Sequence, residues 1–182
     1  MKISSTLLLS FIAVAFTSLQ PPAKVGQSNE NLLVSIKDLR NAATEVVLDG
    51  RPLFLSAYPW RDFMPGTVST PDGSPLMVAF KVATFDKQPL PRGIRADAAW
   101  VLFGEQTWEI SNLRRNVARI PDNTDSSEKW ISCPVSPVCE FTVRGGPKWG
   151  PGVLFDVVVR LADKEGQQYL LRAPKQSIMR TD

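Results

Sequence analysis

The sequence predicts an all-β protein built as a sandwich of two sheets. Three observations carry this. Short runs with period-two alternation recur from Thr44 to the end of the chain, turn clusters of Gly, Pro, Asn and Asp separate them, and no convincing amphipathic helix interrupts them. The arrangement most often built from such a pattern is an immunoglobulin-like β-sandwich, here of about seven to nine strands.

Taken in order, Leu32–Arg40 fits two descriptions. Leu32, Ile36 and Leu39 match a helix face, and the same stretch also alternates as a strand would, so residues 21–43 are a leader or linker holding a first strand or a short helix. The domain proper spans 44–182. Glu45–Leu48 and Arg51–Tyr58 flank Asp49-Gly50, a dipeptide able to take positive φ, and read as a hairpin. Leu76–Phe85 sets Leu76, Val78, Phe80 and Val82 on one buried face. Ala99–Phe103 and Gln106–Ile110 flank Gly104-Glu105 and read as a second hairpin, with Trp100 and Trp108 expected near each other across it. Glu140–Arg144, Val153–Leu161, Tyr169–Ala173 and Ser177–Arg180 complete the strands. In Val153–Leu161, Val153, Phe155, Val157, Val159 and Leu161 form the core face, and Asp156 and Arg160 are expected to be solvated on the other.

The first 20 residues read as a secretory signal peptide, with Lys2 ahead of an apolar run from Leu7 to Phe16 and Ala13-Val14-Ala15 as a cleavage pattern. The cut falls between residues 15 and 23. The run is too short for a membrane span of about 20 residues, and no second one follows, so the mature chain is expected to have no transmembrane segment and to work outside the cytoplasm, in the periplasm or secreted. Loss of Lys2 leaves 20 of the 21 basic residues against 18 acidic ones, a net +2. The basic residues are scattered, with Arg114-Arg115 the only adjacent pair, which argues against nucleic acid as a partner.

Cys133 and Cys139 are the two cysteines. In an exported chain they are expected to form a disulfide across a loop stiffened by Pro134 and Pro137. The spacing is not C-x-x-C, and no basic residue between the thiols would lower a pKa. The chain contains no His, which removes Ser-His-Asp and Cys-His nucleophilic machinery and the common zinc shells; no cofactor and no metal are expected. Gly145–Gly152 lacks phosphate-loop spacing and leads into a strand, so it reads as a tightly turned connection carrying Trp149. The loop acids Asp62, Asp72, Asp97, Asp122, Asp125 and Glu128 could converge in a pair suited to glycoside hydrolysis. Residues 122–128 offer oxygen ligands but not calcium-loop spacing.

The phrases Trp60–Pro65 (WRDFMP), Pro71–Leu76 (PDGSPL), Gly146–Gly152 (GPKWGPG), Tyr169–Ala173 (YLLRA) and Ile178–Asp182 (IMRTD) together resemble a group of small exported bacterial β-sandwich proteins of unassigned function. The resemblance covers most of the chain after Thr44. It implies a bacterial, extracytoplasmic setting and no activity.

The densest candidate site is Tyr58–Gly66, YPWRDFMPG. Trp60, Arg61, Asp62 and Phe63, with Trp149, are the candidate binding residues. Two roles compete. In one, Trp60, Phe63 and Met64 plug an end of the sandwich while Arg61 and Asp62 tie loops together, through Asp182 or Arg180; in the other, Trp60 faces solvent beside Trp149 as a contact site. The function classes that follow are a non-enzymatic module binding a protein or carbohydrate, a carboxylate-based polysaccharide hydrolase, and an accessory subunit pairing through an edge strand at Ser177–Arg180.

Overall fold

The computed structural model describes residues 34–66, 71–111, 113 and 130–182. The stretch read from sequence as a signal peptide and the acids Asp122, Asp125 and Glu128 lie outside the described residues. Within them the chain is a sandwich of two five-stranded sheets. The elements are α1 (Ile36–Arg40), β1 (Glu45–Leu48), β2 (Arg51–Asp62), β3 (Leu76–Thr84), β4 (Arg95–Phe103), β5 (Gln106–Ile110), β6 (Ile131–Ser132), β7 (Val138–Gly146), β8 (Leu154–Ala162), β9 (Gln168–Ser177) and β10 (Met179–Thr181). The first sheet runs β1-β2-β3-β7, with β10 added parallel to β2; the second runs β5-β4-β8-β9, with β6 added to β4.

Between the sheets the alternation of each strand delivers one apolar face. Phe80 and Phe141 stack at 5.2 Å from neighbouring strands, and Val78, Val101, Val157, Val159 and Leu161 are fully enclosed. The β8 core face expected from sequence is the one observed. The β1–β2 hairpin turns on Asp49 and Gly50, both at positive φ (48° and 74°), the signature of a two-residue turn matched to strand twist.

A second, smaller core lies on the outside of the second sheet. The short helix is the form taken by the ambiguous leader: Ser35 caps it by accepting from the Asp38 N–H, and Leu39 and Ala42 pack on Trp100, Leu102 and Val158. Ala43 then bridges to Leu171 on the edge of β9.

Several local expectations give way. Trp100 and Trp108 lie on opposite faces, because the Gly104-Glu105 turn sets Phe103 against Gln106 and therefore Val101, not Trp100, against Trp108. Trp108 faces the interior, where its ring covers Gly146 at the end of β7. Asp97 sits in β4 rather than in a loop and receives two hydrogen bonds from Arg160, at 2.8 and 3.1 Å. Asp156 pairs with Arg172 at 3.0 Å. Asp156 and Arg160 are thus half-buried ion-pair members, not free surface charges.

Candidate functional site

The YPWRDFMPG stretch is divided by strand geometry. Rather than leaving the hairpin as a crossing loop after Tyr58, β2 continues through Pro59 to Asp62. β1 pairs β2 only as far as Phe54, and β10 joins it from Trp60 onward. The proline therefore lies where that edge of β2 has no strand partner, a position that tolerates its missing N–H. Alternation then carries Leu53, Leu55, Pro59 and Arg61 inward, and Tyr58 and Trp60 outward.

Arg61 is 3% exposed and fastens the corner. Its Nε donates to the Ser74 carbonyl at 2.8 Å, and its Nη1 to the carbonyls of Lys148 and Trp149 at 3.2 and 3.0 Å; Nη2 donates to the Asp72 carbonyl. One guanidinium thus holds the 71–75 and 147–150 connections against β2, with the fork geometry that lysine lacks. From outside, Lys148 grips Asp72 at 2.8 Å across the same two segments. Asp182, one of the expected partners, pairs with Arg180 at 2.7 Å instead.

Phe63 completes the corner. Its ring has the Arg61 guanidinium 5.0 Å from the centroid and Arg180 at 4.3 Å. The ring edge covers Gly73, where φ is +78° and an added Cβ would come within 2.7 Å of the phenyl. Asp62 is taken up by the turn, accepting from the Met64 N–H at 2.9 Å while its backbone exchanges bonds with Ser74. Met64 is exposed, and so does not share in plugging the end.

Trp149 folds back over the sandwich. It packs on Phe103 and Phe155 at centroid distances of 5.3 and 6.1 Å, and its Nε1 donates to Gln106 at 2.6 Å. Its ring neighbours are therefore core residues, whereas the ring beside Trp60 is Tyr58, 5.7 Å away. The five candidate residues separate into a corner (Arg61, Asp62, Phe63, Trp149) and one outward ring (Trp60).

The outward ring belongs to a group that the sequence reading did not assemble. Met179 and Met77 stand opposite Trp60 on the two flanking strands, and Tyr58 stands opposite Ala79, which in turn faces Thr142. Tyr58 is 52% exposed and Met179 46%. The result is an outward-facing strip with two aromatics and two methionines at one end and small residues beside them. Extending the i, i+2 alternation of β2 past Pro59 would have found Tyr58 and Trp60 together.

Of the acids considered for a catalytic pair, the three that are described are each engaged locally: Asp62 in its turn, Asp72 with Lys148, Asp97 with Arg160. The Asp86 carboxyl is held below its ordinary range by the Gln88 N–H. Tyr169 is pushed the other way, above the ordinary phenol value of 10.0, by partial burial and then by its hydrogen bond to Asp163. Among the described residues no cluster of three His, Cys, Asp or Glu side chains is suited to a metal ion, and no helix is long and apolar enough to cross a membrane.

Cys133 and Cys139 are joined in a disulfide, with Cα atoms 5.1 Å apart. It ties the end of β6 in the second sheet to the start of β7 in the first, and the Leu90 N–H anchors the enclosed loop by donating to Ser136 O at 2.7 Å. Compared with protein-family models, curated proteins and solved structures, the chain finds no match.

Proposed function

We propose that the protein is an exported, non-enzymatic binding module of the bacterial cell envelope or exterior, and that it contacts its partner through the outer face of the first sheet. The observation that carries this reading is the exposure of Tyr58 and Met179 beside Trp60 on the outer surface of adjacent strands. Large apolar side chains grouped in this way are what protein and carbohydrate contacts use, whereas scattered single ones need no explanation. Export rests on the signal-peptide pattern, and the disulfide is in keeping with an oxidising compartment. The connectivity, β2-β3-β7 facing β5-β4-β8-β9, supports an immunoglobulin-like reading of the sandwich.

The corner around Arg61 and Phe63 serves this surface indirectly. By joining β10 to β2 it brings Met179 beside Trp60. The test is a binding measurement on the mature domain, immobilised and exposed separately to soluble envelope glycans and to envelope proteins, with wild type compared to Tyr58→Ser/Trp60→Ser. Binding in one arm that is lost in the folded double variant supports the proposal and names the partner class. Absence of binding in both arms, or equal binding by the variant, overturns it.

A further inference from the structure

We propose that a cleft on the outside of the second sheet binds a single-chain anionic amphiphile, a carboxylate or phosphate head group on an unbranched apolar tail. This site lies on the other sheet from Tyr58 and Trp60 and does not depend on them. The cleft has a volume of about 470 Å³, within the size range of small-molecule sites. Its exposed apolar side chain is Leu154, 56% exposed at the start of β8, beside Leu102, which is buried under α1; Phe155 also lines the cleft, but its ring belongs to the inter-sheet core. Its cations are Arg40, Arg172 and Lys175, set against Glu105 and Asp156, which leaves one net positive charge.

Both arginines are fixed in place yet keep donors to offer. Arg172 uses Nε on the Ala42 carbonyl and Nη1 on Asp156, leaving Nη2. Arg40 uses Nη2 on Glu105 and the Gly104 carbonyl, leaving Nε and Nη1. A guanidinium carries five N–H donors, so an incoming oxyanion can be bound without breaking either ion pair.

Lys175 points to a ligand most directly. The β8–β9 ladder slips between Phe155 and Val157, and Lys175 occupies the irregularity at φ 56°, a conformation glycine takes readily and lysine rarely. The Asp156 carboxylate holds that conformation by accepting the Lys175 N–H at 2.9 Å, while its other oxygen holds Arg172. One acid therefore positions two cations, and no ion pair engages the Lys175 ammonium among the described residues. Bulges re-aim side chains next to functional sites. Here the strained residue is the cation of the cleft that, among the described residues, has no carboxylate ion-pair partner.

The test is calorimetric titration of the mature protein with dodecanoate and with dodecyl phosphate below their micelle concentrations, against dodecyltrimethylammonium and dodecanol. Both or either anionic probe should bind, and the two neutral or cationic ones should not; the preferred anion identifies the head group. Lys175→Gly should weaken anion binding about ten- to a hundredfold, the loss of one charge-assisted contact, with an unfolding midpoint that holds or rises because glycine relieves the left-handed backbone. Leu154→Ser should narrow the advantage of dodecyl over octyl chains. Equal binding of cationic and anionic probes, no anion binding, or a Lys175→Gly variant that binds as wild type would overturn the proposal.

Discussion

Replacing Arg61 by Met removes the one side chain that joins β2 to two separate connections. Methionine matches the stem in length and in its apolar packing but has no donor, so the carbonyls of Asp72, Ser74, Lys148 and Trp149 lose their shared partner. A hydrogen bond to a charged group is worth about 1.5–3 kcal/mol. Four on one guanidinium do not add, and some of the freed carbonyls will find water. We expect a loss of about 3–4 kcal/mol, at or beyond the upper end of ordinary single substitutions. The midpoint of thermal unfolding should fall by about 6–15 °C. Arg61→Lys keeps the charge but not the fork, and should still cost about 2 kcal/mol. The assay is urea unfolding followed by both tryptophan emission and far-ultraviolet circular dichroism, with coincident transitions required before a free energy is extracted. If Arg61→Met lies within 1 kcal/mol of wild type, a figure well below the ~3 kcal/mol expected, the corner is not held by Arg61 and the division of the YPWRDFMPG stretch is mistaken.

Three other outcomes follow from the same structure. Gly146→Ala puts a Cβ within 2.5 Å of the Trp108 ring, so it should destabilise by about 1–3 kcal/mol. In a Trp108→Leu background most of that cost should disappear, which a double-mutant cycle reads directly. Cys133→Ser/Cys139→Ser opens a loop of sequence separation 6 and should cost about 2 kcal/mol by urea unfolding under oxidising conditions, with the fold retained. The phenol of Tyr169 has its folded pKa raised above 10.0, so the unfolded chain loses that proton first. Stability should therefore be intact below pH 10 and decline as pH climbs from there towards the folded value, and Tyr169→Phe should remove that slope in melts recorded from pH 8 to 11.

Much of the fold is legible in local pattern, and the exceptions have identifiable causes. Asp49-Gly50 announces its hairpin because few other dipeptides accept positive φ twice. The Val153–Leu161 alternation names its own core face. The facing of Trp100 and Trp108 was also available: a two-residue turn at Gly104-Glu105 fixes every pair beyond it, and places the two rings on opposite sides. Pro59 misleads because proline suggests the end of a strand, yet it sits where β2 has lost one neighbour and not gained the next.

The sites are harder to read. Arg61 finds backbone carbonyls 11, 13, 87 and 88 residues away, and carbonyls leave no mark on a sequence. Trp60 and Met179 become neighbours only because the last strand returns parallel to β2, a pairing that no local periodicity encodes. Lys175 carries no propensity for the left-handed backbone that it adopts, so the bulge that aims it into the cleft is visible only in three dimensions.

The outer face of the first sheet is central to this account, and hydroxyl-radical footprinting reports on it most directly. In the isolated mature domain, Tyr58 and Met179 should oxidise readily and Trp60 at an intermediate rate, while Trp100, Phe80 and Phe141 stay protected. Mixed with the envelope fraction that binds it, the domain should show protection at Tyr58, Trp60 and Met179 with the rest of the pattern unchanged. Unchanged oxidation of those three residues in the bound state would contradict the account.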